Sequence, residues 1–487
     1  MLRLKSTLAA QPPSLPVAPE SGLWPLRSSF AFFAKDDGFR LRHERFDTLH
    51  KLLGPIYKIR FLPLQKYMVT IADPAAVAQI YWHKGPMPQR RVNPTWKVHR
   101  DARQWPIGSV NTNEFAEWKR FRRSLSAHVL QAHNVAAWLP RLDDVAQDIV
   151  ARIRSQAVTD NSVPMTRVTQ AYALEAASAL VFGRRMGCVS RDHLTPIDAE
   201  AQAFIGAVDG FAAMTQVLGR VPPFVPHWAY RFLPSYQAFA AHSDVIFALG
   251  ETRMRQKMAS TEETDPDLLS MFLARPELDE RDAIAQAVDV LLASVDTTTN
   301  ALLWTLYLLA SSPNGRAMQE TIRDEANAAL GGNASFDDAA LEKVSYVRAV
   351  VKEALRLYPV ANPNQRYLTS DLTLLGHKIP AGTSVLVATY TMSRDPNVFE
   401  NPTAFVPERW MNKASNRQAA AYSTLPFGMG ARSCVGRRLA ETEMYLLLSH
   451  LLRTMEVSWI ATEAHPKAVI HLLMTPETEL TLRFQPW

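Results

Sequence analysis

The chain has 487 residues, 47% of them hydrophobic, and Lys plus Arg exceed Asp plus Glu by 53 to 47, for a formal charge of +6. Its length suggests about three domains, but it has no Ser/Gly-rich linker, low-complexity run or repeat, so one large helix-rich domain is expected. The charge excess is mild and no basic run carries interleaved aromatics, which argues against nucleic acid as a partner; two cysteines, Cys188 and Cys434, exclude a disulfide framework and fit a reducing compartment.

Met1–Ala10 carries Arg3 and Lys5, and no acid appears before Glu20. A basic, hydroxylated, acid-poor start looks like a mitochondrial targeting segment, with a disordered tail as the alternative. Residues 1–35 are therefore read as a lead and 36–487 as the main domain. The start lacks the ~20 apolar residues of a membrane-spanning helix.

Tyr57–Phe61 and Tyr67–Ile71 predict short strands. A helix should follow, with Asp73 as N-cap and Pro74 at its first position. Helical patterns then run to about Leu357. Among them, Trp118-Lys119-Arg120-Phe121-Arg122 sets an indole and a guanidinium at i,i+4. The apolar, aromatic and Pro-broken run Pro222–Tyr230 is too short to span a bilayer, but it suits an interface.

The longest helical pattern runs from about Glu280 to Ser312 and stops before Pro313. It is apolar on most faces from Ala287 to Leu309, so burial is expected. Its middle reads Ala293-Ser294-Val295-Asp296-Thr297-Thr298-Thr299. An acid and three Thr in a buried helix are unusual, and Thr hydroxyls can bond back to helix carbonyls.

Glu353 and Arg356 share a helix face at i,i+3. Leu372–Val387 predicts strand, turn and strand, with Pro380-Ala381-Gly382 as the turn. Phe405-Val406-Pro407-Glu408-Arg409-Trp410 follows. The chain ends in a further hairpin pattern around Val469–Leu473 and Glu479–Phe484. The expected fold class is mainly α with small β-sheets (α+β).

Phe427-Gly428-Met429-Gly430-Ala431-Arg432-Ser433-Cys434-Val435-Gly436 is the most informative segment. Three of the chain's 19 glycines fall here, where backbone can approach a flat partner closely. A helix should begin at Arg437, and a thiolate near a helix N-terminus is favoured. A lone Cys is a poor zinc site, whereas a single axial thiolate suits a heme iron.

This loop resembles the heme-binding signature of the cytochrome P450 family at every defined position, and the other motifs follow in family order from about Gly54 to Phe484. The resemblance implies a single helical heme domain and heme b with Cys434 as axial ligand. It implies that Trp118, Arg122, Arg432 and Arg366 meet the heme propionates. Asp296 and Thr297 would relay protons to dioxygen, although Ser294 stands where the family usually has Gly. Glu353, Arg356 and Arg409 would form a structural network beneath the heme.

The basic positions Arg348, Lys352, Arg437 and Arg438 resemble those with which the mitochondrial branch docks an acidic two-iron–two-sulfur ferredoxin, itself reduced by an NADPH-dependent reductase. By analogy with the family, residues near Ala293, Val360 and Met474 line the substrate. The implied activity is monooxygenation of a steroid or sterol with O2, on the matrix side of the mitochondrial inner membrane with peripheral membrane contact. The same chemistry on a secosteroid, bile-acid precursor or xenobiotic stays open. So do a heme-thiolate isomerase or dehydratase needing no external electrons, and a non-enzymatic heme binder, against both of which the Asp296-Thr297 pair argues.

Overall fold

The computed structural model describes residues 14–20, 29, 39–61, 66–82, 89, 93–108, 114–129, 131–160, 162–219, 221, 225–259, 267–362, 364–411, 417–460 and 464–487. The targeting reading of Met1–Ala10 and the start of the Pro222–Tyr230 run lie outside them. The described residues divide between two units. One draws on Met1–Arg91, Asn362–Pro402 and Asn416–Arg432; the other on Val92–Ala361, Thr403–Ser415 and Ser433–Trp487.

The first unit is organised by a four-stranded sheet in the order Ile56–Ile59, Met68–Ile71, Ser384–Val387, Asn364–Tyr367. Its first pair is antiparallel, with Ile56 opposite Ile71. Met68–Ile71 then runs parallel to Ser384–Val387, with Val69 opposite Val385. Ile56, Val69, Ile71, Val385 and Val387 bury one apolar surface with Ala76, Val77 and Ile80. The last three lie on the helix Pro74–Trp82, whose start Asp73 caps by accepting the Ala76 N–H at 2.7 Å.

The strand–turn–strand reading of Leu372–Val387 needs correction. Leu372–Leu374 pairs with His377–Ile379, across a turn at Leu375-Gly376 with φ of 50° and 82°. Two successive positive φ angles match the twist of a tight hairpin. Pro380-Ala381-Gly382 does turn, with the Gly382 N–H donating to Leu368 O at 2.7 Å. However, it leads from the hairpin into the strand Ser384–Val387 of the larger sheet.

The second unit is mainly helical. Its longest helix is Glu280–Ser311, opened by a capping box in which Asp279 and Asp282 each accept the other's backbone N–H. Every residue from Asn300 to Leu309 is buried, but the burial expected from Ala287 onward is interrupted. Val290, Leu292, Ser294, Asp296 and Thr297 are only half-buried and Ala293 is exposed, because this face of the helix is not packed by other elements among the described residues. The helix packs chiefly on Met165–Val181, and the helix Arg437–Thr454 packs on Ala132–Asp160 and Gly315–Leu330.

The C-terminal hairpin reading is also corrected. Ala468–Ile470 pairs with Met474–Pro476. Thr481–Pro486 instead joins Met455–Trp459 and Ser162–Pro164 in a separate three-stranded sheet. The chain is thus mainly α with small sheets, the expected fold class.

Candidate active site

The thiol loop is shaped by Gly428 and Gly430, with φ of 65° and 74°, angles that a side chain would strain. A short 3-10 turn, Gly430–Arg432, follows and buries Arg432. Cys434 then sits three residues before the helix Arg437–Thr454 and retains solvent-exposed surface. Desolvation by the surrounding protein pushes its thiol up, opposed by the Gly436 N–H and the Arg122 guanidinium. Arg122 donates to Ser433 O at 3.0 Å, which ties the helix Phe115–Val129 to the backbone beside the thiol. Trp118, on the same helix, is buried.

Arg366 lies in the first unit, on the strand Asn364–Tyr367. Its guanidinium donates to Gln365 O at 2.8 Å and stands 5.1 Å from the centre of the Tyr81 ring. Arg432 belongs to the same unit.

In the second unit, the middle of the long helix carries the acid and hydroxyl groups. Thr297 donates back to Ala293 O at 2.7 Å, and Ser294 to Leu291 O at 2.9 Å. Asn300 donates its side-chain amide to Asp296 O at 2.7 Å. Burial, reinforced by the charge of Asp209, pushes the Asp296 carboxyl up to about 6.

Thr298 turns elsewhere and donates to Glu443 Oε2 at 3.4 Å. Glu443 is buried on the helix that follows the thiol, and desolvation pushes it up to about 8. Sequence reasoning missed this residue. Its signal was available: Leu439, Glu443, Leu446 and His450 repeat at i, i+4, i+7 and i+11, so the acid falls on a core-facing stripe.

Glu353 and Arg356 are both fully buried and form a bidentate pair, with Arg356 Nη2 donating to Oε1 at 2.7 Å and Nε to Oε2 at 2.8 Å. Arg409 Nε donates to Oε1 at 2.9 Å and the Val406 N–H at 3.1 Å. Trp410 Nε1 donates to Oε2 at 2.8 Å. The shares of Val406 and Trp410 were not anticipated.

The four basic positions are all exposed. Arg348 donates to Leu341 O at 2.8 Å. Lys352 Nζ stands 3.9 Å from the centre of the Trp410 ring. Arg437 pairs with Glu441 at 2.9 Å, one turn along.

Among the described residues, no group of three or more His, Cys, Asp or Glu could hold a metal ion. The lone thiol of Cys434 therefore suits a metal that brings its remaining ligands with it, as heme iron does.

A family model described as Cytochrome P450 matches residues 19–484. The chain is 33% identical over 469 residues to cytochrome P450 27C1 of Danio rerio, covering 93% of this chain and 84% of that one. It is 30% identical over 478 residues to the mitochondrial sterol 26-hydroxylase of Rattus norvegicus (94% and 87% covered). It is 31% identical over 468 residues to the mitochondrial cholesterol side-chain cleavage enzyme of Equus caballus (94% and 86%). The fold and the thiol loop define a heme-thiolate monooxygenase. The chain belongs to the cytochrome P450 family, whose cofactor is heme b held by a cysteine thiolate.

Proposed function

We propose that this monooxygenase inserts one oxygen atom of O2 into a C–H bond of a steroid or sterol, the other atom leaving as water. One observation carries the reading: a lone thiol in its glycine loop, in a chain whose relatives are named for sterol oxidation. When bound, the heme supplies the redox chemistry that activates oxygen. Cys434 would hold its iron as a thiolate, and, as the family resemblance implies, Trp118, Arg122, Arg366 and Arg432 would meet its propionates.

Asp296 and Thr297 handle the protons. A carboxyl at about 6 both gains and gives a proton near neutral pH, as a general acid–base group should. Thr297 has to turn its hydroxyl from Ala293 O and Ser294 O to pass a proton along. Glu353, Arg356 and Arg409 act as a structural brace. Ala293, Val360 and Met474 line the substrate.

Electrons come from NADPH through a ferredoxin reductase and an acidic two-iron–two-sulfur ferredoxin. The ferredoxin docks on exposed Arg348, Lys352, Arg437 and Arg438. The setting is the matrix side of the mitochondrial inner membrane. The names of the relatives support the organelle. Trp228 and Phe232, 64% and 65% exposed, support peripheral attachment. No helix among the described residues is long and apolar enough to cross a membrane.

The test is reconstitution with NADPH, ferredoxin reductase and ferredoxin, using cholesterol and a secosteroid as probes under 18O-labelled O2. One labelled oxygen atom per product is expected. Cys434→Ala should lose the red-shifted Soret band of the reduced carbonyl complex. If that variant kept the band, the ligand assignment would fall; if wild type oxidised neither probe, the sterol reading would fall.

A further inference from the structure

Trp304 is fully buried on the long helix, about 10 Å beyond Thr297 at 1.5 Å rise per residue. Its ring lies flat on Tyr358, with centroids 3.9 Å apart and planes 4° from parallel. Its Nε1–H donates to Met474 O at 3.3 Å. The Met474 N–H in turn donates to Val360 O at 2.8 Å. The contacts close a ring: Trp304 to Tyr358, along the chain to Val360, across to Met474, and back to Trp304.

Met474 is thus held through both of its backbone polar groups. It begins the second strand of the hairpin in which it pairs with Ile470. The hairpin's turn carries His471, whose Nδ1 meets the side chain of Gln216 from the helix Ala199–Leu218.

A buried tryptophan N–H ordinarily finds an acceptor; what matters is which group supplies it. Here the acceptor is the main chain of one predicted substrate wall, and the stacked partner leads into the other. We propose that Trp304 is a positioning residue for the reaction, fixing Val360 and Met474 relative to Asp296 and Thr297 and so selecting which substrate carbon is oxidised. The product-selection half rests on the sterol reading above and on the assignment of Val360 and Met474 as substrate walls; the anchoring half stands on the geometry alone.

Trp304→Phe keeps an aromatic ring over Tyr358 and removes the donor. The test uses the full-length heme-loaded protein. A neutral hydrogen bond lost from one end of a hairpin should speed local amide exchange about five-fold. Peptides covering 468–476 should show this, while those of the helix Arg437–Thr454 and the reduced carbonyl spectrum stay as in wild type. With cholesterol as probe, KM should change less than about two-fold. The ratio of oxidised positions should shift several-fold and product per NADPH should fall, a split that general destabilisation does not produce.

Exchange that is unchanged, or raised evenly along the chain, would overturn the anchoring role. Faster local exchange with an unaltered product ratio would overturn the positioning role. If wild type oxidises neither cholesterol nor a secosteroid, the substrate reading is what has failed, and the exchange result still decides whether Trp304 holds the wall.

Discussion

Glu353 and Glu443 are both buried carboxyls on helices of the same unit, yet their surroundings make them different objects. Glu353 accepts from Arg356, Arg409, Trp410 and the Val406 backbone, two of these partners being cations. Glu443 accepts from one side chain among the described residues, Thr298 at 3.4 Å, and its carboxyl is pushed up to about 8 by desolvation. Asp296 belongs with Glu443, although it is only half-buried: it has a second acid in range and a carboxyl at about 6. Burial sets up the same electrostatic problem each time. Surrounding it with cations offsets the cost of burying the charge, and leaving it open raises the carboxyl toward neutral pH.

The sharpest way to break this contrast is to remove one partner from each site. Arg356→Ala should destabilise by about 3–5 kcal/mol, because it strands a buried charge, and holoenzyme yield should collapse. Glu443→Gln should leave heme content near normal. Equal losses of holoenzyme in the two variants, measured as heme per protein, would erase the distinction.

The next effect is on stability against pH. A folded carboxyl raised from 4.5 to about 8 keeps its proton while the unfolded chain releases one. Its contribution is full below about 4.5 and is lost as pH rises through about 8. Wild-type stability should therefore carry a downward component over this window that Glu443→Gln lacks. Denaturant melts at pH 5, 6.5 and 8 would detect it, and parallel curves for the two proteins would count against an open Glu443.

Asp296 gives a smaller, functional signature. Its protonated form declines as pH passes upward through about 6, so product per NADPH should bend there. Asp296→Asn should lower that yield and remove the bend. Thr297→Ala should lower the yield and raise peroxide without altering heme content. Unchanged coupling in both variants would reduce this stretch to packing.

The smallest effect belongs to the exposed cations proposed to dock the ferredoxin, where screening with a Debye length of ~8 Å at physiological salt would weaken the encounter. Lys352→Gln with Arg438→Gln should raise the ferredoxin concentration for half-maximal rate a few-fold, more at low salt, with the sterol-induced spectrum unmoved. Better turnover with a diflavin reductase would end the ferredoxin reading.

The elements that were legible in the sequence are those set by local chemistry. The long helix announced itself through its apolar pattern and the Pro313 stop, and the helix Pro74–Trp82 through Asp73. The i,i+3 spacing put Glu353 and Arg356 on one face whatever the tertiary fold. Partners that arrive from far along the chain were not legible: Trp410 reaches Glu353 from 57 positions away. The two hairpin corrections teach the same point. Pro380-Ala381-Gly382 does turn, and Glu479–Phe484 does enter a strand, but turn residues fix a bend without naming the strands that pair beyond it. Glu443 could have been found from its helical stripe, while its isolation from cations could not.

The parallel pairing of Met68–Ile71 with Ser384–Val387 has a consequence for biosynthesis. The first strand emerges about 300 residues before its partner. At roughly 5–20 residues per second it waits about 15–60 s. Ile56–Ile59 can cover one edge at once, but the other stays an open row of backbone donors and acceptors flanked by Val69 and Ile71. An open apolar edge recruits strands from other nascent chains. Slower initiation or an added holdase should therefore raise soluble yield more than slower elongation, which only prolongs the wait.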